Sequence, residues 1–181
     1  MVNLTITQLK SAIKSYYPKQ PNEKAKNYVG KFFDGYIIEN KLFASVEGNH
    51  GRYKVSIEVS GENINENCSC YIGENGCHHC FALGLTFIKN HSIFRKIKPN
   101  NINNIKSLED VNAYLKTITL DSLLKELKAN AITQKSFAES ISMNPRHLAS
   151  IKSSELRNRY YNELGATKLA CLWMLERFKN K

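Results

Sequence analysis

Thirteen residues hold most of the reactive side chains of this chain. Positions 68–80 read CSCYIGENGCHHC and contain four of the five cysteines and two of the five histidines. The spacing is C-x-C-x6-C-x-H-C. Zinc takes four nitrogen or sulfur ligands in a tetrahedron, with bonds of about 2.3 Å to sulfur and about 2.0 Å to nitrogen. A C-x-C pair at a turn can point both sulfurs to one side. Gly73 and Gly76, flanking Glu74-Asn75, let the chain fold back so that a second pair at a helix start closes the site. Two other chemistries use the same residues: buried structural cysteines, and a redox pair at Cys77 and Cys80, spaced C-x-x-C. The start of the chain, MVNLTITQLKSAIKSYYP, has no apolar run ahead of a cleavage site. That predicts an intracellular, cytoplasmic protein with reduced thiols, and a metal site rather than a disulfide.

Cys68 and Cys70 are almost forced as ligands, and Cys77 follows. The fourth is His79 or Cys80, with His78 a distant third. The run Cys68, Cys70, Cys77, His79, leading into the apolar CFALGL, resembles the SWIM zinc finger: C-x-C, a variable gap, then C-x-H entering a helix. The resemblance covers about residues 30–90. It implies His79 as the fourth ligand, a structural Zn2+, and a module that binds nucleic acid or protein. Four protein ligands leave no open position at which a metal could activate water.

A second stretch, Thr133 to Lys152, reads TQKSFAESISMNPRHLASIK. Its apolar residues are Phe137, Ala138, Ile141, Met143, Leu148 and Ile151, with a turn at Ser142-Met143-Asn144 and Asn144-Pro145 as cap and first helical residue. Two short helices across such a turn form a helix-turn-helix. The run resembles the phage-repressor type, which often begins T-Q-x-x-F/L-A, although Ser142 stands where that family usually has Gly. The resemblance implies a helix 144–152 in the major groove of DNA. Pro145, Arg146, Ser150 and Lys152 would face outward, with Arg146 as the reader of guanine. Gln134 and Lys135 would meet phosphate at the preceding helix start. Arg157 and Arg159, beside Tyr160 and Tyr161, add basic and aromatic character that suits a nucleic-acid backbone. An ordinary helical hairpin would bury the same apolar positions and touch nothing.

Other elements must position these two stretches. Leu4, Leu9, Ile13 and Tyr17 share one face of a helix that Pro18 and Pro21 stop. Residues 22–34 give no firm assignment. In YKVSIEV, Tyr53, Val55, Ile57 and Val59 alternate with polar residues, which predicts a half-buried strand. Breaks at Glu39-Asn40 and at 48–51 predict an antiparallel meander. Leu120–Ala131 reads as the first helix of a C-terminal bundle. Ser153 or Ser154 reads as the cap of a further helix, and Gly165 as its break. A last helix then buries Leu169, Leu172, Trp173 and Phe178 to differing degrees, with Cys171 as a small hydrophobe among them.

The expected fold is α+β: a small antiparallel sheet with the zinc finger and its helix at 1–90, a linker at 91–117, and an all-α helix-turn-helix domain at 118–181. A hydrophobic content of 42% against 23% charged residues supports a packed globular chain. The net charge is +10, and residues 130–181 alone carry nine basic and four acidic side chains. Such an excess favours a polyanion. The chain therefore reads as a DNA-binding regulator or accessory factor, nucleoid-associated if so, with duplex DNA as the favoured partner. A protein-interaction adaptor is the alternative. The apolar last helix could supply a homodimer surface or be consumed by the core. No stretch is apolar enough to enter a membrane. Without a phosphate loop, paired carboxylates or a nucleophile elbow, no enzymatic reading stands out.

Overall fold

The computed structural model describes residues 5–17, 22–73, 76–97, 105–159 and 161–178. The chain divides into two units: Met1–Pro99 with Arg157–Arg159, and Asn100–Leu156 with Tyr160–Lys181.

The first unit begins with α1 (Ile6–Tyr16). Thr5 and Gln8 form a capping box at its start, and Leu9 and Ile13 are buried. Leu4 lies outside the described residues. The unassigned stretch resolves into the single-turn α2 (Glu23–Lys26), capped by Asn22, and the entry to the sheet. Strands β1 (Phe33–Ile38), β2 (Lys41–Gly48), β3 (Gly51–Ser60) and β4 (Asn63–Cys68) form the antiparallel meander. The turns fall at the predicted breaks. Helix α3 (His78–Lys89) packs on β3, β4 and α1. Register places Val55 opposite Cys68, Ile57 opposite Glu66 and Val59 opposite Ile64, so one sheet face is continuous and buried. Gly84 on α3 allows a close approach of α1. A Cβ there would lie 2.7 Å from the Tyr17 ring and 2.8 Å from Ile13.

Within the linker expected at 91–117, residues 98–104 lie outside the described residues, and the described parts carry regular structure. His91–Ile93 form a 3-10 turn, and β5 (Arg95–Ile97) pairs in parallel with β1, so the sheet order is β4-β3-β2-β1-β5. A three-residue strand with one buried side chain carries no readable period. Beyond it, α4 (Leu108–Thr117) opens the second unit, with Ser107 and Asp110 as its capping box. None of its residues is fully buried.

The second unit continues with α5 (Leu120–Ala129), α6 (Gln134–Ser140), α7 (Pro145–Leu156) and α8 (Leu164–Phe178). Its core joins Leu120, Leu123, Leu124 and Leu127 with Phe137, Ala138, Leu148, Ile151, Cys171 and Leu175. Two further expectations are corrected. Ser153 and Ser154 lie inside α7 rather than at a cap, and Gly165 sits in the first turn of α8 rather than breaking a helix. The buried face of α8 is also different. Thr167, Cys171 and Leu175 point inward at four-residue spacing. Leu169 and Trp173 fall two positions off that row and are about half exposed, at 47% and 57%. Phe178 is exposed and Leu172 half-buried. No helix of the described residues is long and apolar enough to cross a membrane.

Lys168 is buried, which the sequence pattern did not suggest. Its Nζ lies 2.6 Å from Glu155 Oε1 and donates to the carbonyls of Leu115 and Ile118 at 2.8 Å each. Glu155 Oε2 accepts the Leu120 backbone N–H at 2.7 Å. One ion pair thus ties the end of α4 and the start of α5 to α7 and α8. Removing one partner of such a pair leaves a buried charge uncompensated. Lys168→Met is therefore expected to cost about 3–5 kcal/mol in urea unfolding followed by helical circular dichroism. A loss below about 1 kcal/mol would show that the pair is not a tie.

Ser142 gives an opposite expectation. It sits at φ 56°, the left-handed region. Its N–H donates to the Glu139 carbonyl at 3.0 Å, and the Met143 N–H to the Ala138 carbonyl at 2.8 Å. This is the Schellman end of α6, whose left-handed position favours Gly. Ser142→Gly is expected to raise stability by about 1 kcal/mol. An unchanged or lower melting temperature would count against the left-handed turn.

Candidate metal centre

Strand β4 delivers the first ligand. Its alternation turns Ile64, Glu66 and Cys68 to the buried face. The chain then leaves the sheet in a tight loop held by its own backbone. Cys68 N–H donates to the Gly73 carbonyl at 2.8 Å, Ser69 N–H to the Lys54 carbonyl at 3.0 Å, and Lys54 N–H to Ser69 Oγ at 2.9 Å. Cys70 lies on this loop, where the Gly73 N–H points at its sulfur from 3.5 Å. Gly73 and Gly76 take φ 72° and 87°, which an L side chain disfavours. Cys77 is the N-cap of α3, and His79 lies on the first turn.

Cys68, Cys70, Cys77 and His79 are all buried, and their ligand atoms lie within 4.8 Å of one another. Cys70 Sγ and Cys77 Sγ are 3.4 Å apart. His79 Nδ1 lies 3.7 Å from Cys68 Sγ and 3.5 Å from Cys77 Sγ. A tetrahedron with zinc-type bond lengths has edges of about 3.8 Å between sulfurs and about 3.6 Å from sulfur to nitrogen. The three separations given lie within about 0.4 Å of those edges, and the remaining ones are no longer than 4.8 Å. The cluster can hold a metal ion, and it would do so with four protein ligands.

The thiols are electrostatically linked. Hydrogen bonds from Cys68 and then Cys80 hold the Cys77 thiol far below its ordinary value. Cys68 is pushed up, first by its hydrogen bond to Cys77. Cys80 is pushed far up by hydrogen bonding toward Cys68 and Cys77 and by burial. Cys80 stands outside the four-donor group, with its sulfur 3.9 Å from the Ser56 carbonyl. It is a buried, packed thiol beside the centre. His78 is half-buried and outside the group as well.

Residues that the motif alone does not mark fix the geometry. Glu66 is buried, and both its oxygens are occupied. Oε1 accepts the Tyr17 hydroxyl at 2.7 Å, and Oε2 accepts the Gly76 N–H at 2.7 Å. One carboxylate thus links α1 to the loop residue preceding Cys77. Tyr17 is pushed well above the ordinary tyrosine range by burial and by Glu66, so it remains a donor. The sequence did hold a signal for Glu66, because it shares the alternation that carries Cys68. The His79 ring is enclosed by Tyr28 at 4.5 Å, Tyr53 at 4.8 Å and His78 at 4.1 Å between centroids. Its Nε2 is buried without a hydrogen-bond partner. Nδ1 is therefore the nitrogen that faces the sulfurs.

The residues expected to meet nucleic acid are less uniform. Lys135 and Ser150 are exposed, as is Arg146, whose N–H is held by Asn144 Oδ1 at 2.8 Å. Gln134 and Pro145 are half-buried at the starts of α6 and α7. Lys135 reaches Glu139 at 3.9 Å. Lys152 is half-buried and lies 3.4 Å from Asp121, which also binds Lys125 at 2.7 Å. Asp121 is held below the usual carboxylate range, first by Lys125. Lys152 is thus engaged within its own unit. Arg157 and Arg159 are exposed, but they cluster with the first unit rather than with the helices. His147 faces the Tyr161 hydroxyl at 3.3 Å.

The four-donor geometry yields a direct expectation. His79→Ala removes bound metal, measured by elemental analysis of purified protein, while Cys80→Ser retains one ion per chain. The reverse pattern would identify Cys80 as the ligand. Comparisons with models of protein families, with curated proteins and with solved structures find no match to this chain.

Proposed function

We propose that the chain is a DNA-binding regulator or accessory factor whose first unit is built on a structural zinc ion and resembles the SWIM module. Zinc is the ion best suited to three thiolates and one imidazole in a tetrahedron. Saturation by protein leaves it no catalytic position.

The observation that carries the DNA reading is the α6–α7 pair. Its turn adopts the left-handed geometry that a helix-turn-helix requires, and it does so at Ser142, where glycine would be easier. Arg146 is exposed in the first turn of α7, where base edges would be met. The basic excess of residues 130–181 supports a polyanionic partner. Of the helix-turn-helix contacts, Arg146, Lys135 and Ser150 are the strongest candidates. Lys152 contributes less, because Asp121 offsets its charge.

A separate observation favours the adaptor reading. Tyr71 and Ile72, between Cys70 and Gly73, are exposed at 104% and 53%. A metal-clamped loop that presents an aromatic and an aliphatic side chain suits docking on a protein partner.

Anisotropy titration of a labelled random duplex at several salt concentrations tests the DNA reading. Micromolar binding at low salt is expected, with a log–log slope steepening by about 0.9 for each phosphate neutralised. Arg146→Ala should weaken the preferred site by about 1–3 kcal/mol. No binding at low salt would leave the adaptor reading in its place.

A further inference from the structure

The first unit contains a cleft that the metal centre does not use. It has a volume of about 550 Å³, within the roughly 300–1,000 Å³ typical of ligand sites. Lys24, Asn27, Tyr28 and Lys31 line one side, with Asn49 of the β2–β3 hairpin and His78 also on the wall. Lys24 and Lys31 are exposed and have no carboxylate partner among the described residues. Neighbouring Lys26 is engaged with Glu23 at 2.6 Å. The acidic residue of the lining, Glu47, is engaged with Arg52 at 3.2 Å. The cleft therefore keeps two unpaired positive charges while its one negative charge is offset. Asn27 and Asn49 are exposed and bring amide donors. Tyr28 is half-buried and fixed against the rings of His79, at 4.5 Å, and His78, at 5.5 Å. The wall is thereby anchored to a residue of the metal cluster.

We propose that this cleft binds a phosphate group of a nucleic-acid strand. Lys24 and Lys31 pair with its oxygens, the amides of Asn27 and Asn49 donate to it, and Tyr28 offers a surface to the attached sugar or base. The proposal rests on the nucleic-acid reading for the source of the phosphate, but not for phosphate recognition itself. It gives the metal-bearing unit a contact of its own, separate from α7.

The test uses the full zinc-loaded chain and the double variant Lys24→Gln/Lys31→Gln, with zinc content checked in both. Inorganic phosphate is titrated while the backbone amide shifts of Asn27 and Asn49 are followed. A labelled random duplex is titrated in parallel over a range of salt. The wild type should show phosphate-dependent shifts at both residues, and the variant should lose them. The variant's salt slope for duplex should fall by about 0.9, the share of one phosphate. Phosphate shifts with an unchanged duplex slope would identify a small phosphorylated molecule as the source. Absence of shifts together with an unchanged slope would overturn the proposal. Arg146→Ala separates the two readings: if it is silent while the lysine variant loses binding, the groove-reading helix fails and the cleft stands.

Discussion

Three sulfurs and an imidazole nitrogen, all buried within 4.8 Å of one another, set the terms for the first unit. Thiolates in an apolar interior are costly unless a cation compensates them, and like charges at such separations repel. A divalent ion would turn that cost into a link between distant parts of the chain. Cys68 ends β4, Cys70 lies on the loop, and Cys77 and His79 begin α3. Metal bound here would join the edge strand of the sheet to the helix that covers it. Because the donors come together only in the folded unit, metal affinity becomes folding free energy. A unit of this size, with a five-stranded sheet covered by α1 and α3, gains most from such a link where the sheet ends and the loop would otherwise fray.

The ligands are held in turn by a buried carboxylate. Glu66 accepts from Tyr17 on one oxygen and from the Gly76 backbone on the other. An interior carboxylate is tolerable when its oxygens are hydrogen-bonded. The same physics recurs in the helical unit, where Lys168 and Glu155 use their remaining hydrogen-bonding capacity on backbone groups at helix ends. Each unit thus holds a charged group inside and uses it to fix backbone that apolar packing leaves unsatisfied.

Much of this was legible in the sequence. Cysteine spacing marked the donors, period-two alternation marked β3, and the Thr133–Lys152 pattern marked α6 and α7. What escaped did so for identifiable reasons. Strand β5 is too short to show a period, and its partner β1 is far away in sequence. The apolar residues of α8 occupy two faces, and composition cannot tell which one Cys171 and Leu175 share. Lys168 could not be placed inside, because its partners, Glu155 and the carbonyls of Leu115 and Ile118, meet it only through tertiary packing. The choice between His79 and Cys80 needed geometry. Both are buried on adjacent positions of α3, and only one has its donor atom in the group.

The most direct test of the account is amide hydrogen exchange by mass spectrometry before and after bound metal is removed with a chelator. The amides of Asn63–Cys68 and of the first turn of α3 should lose protection on chelation and regain it when zinc is restored. Those of α5 and α8 should keep theirs. Unchanged protection around Cys68 and His79 after removal would contradict a metal-held fold. So would a purified chain that never contained an ion.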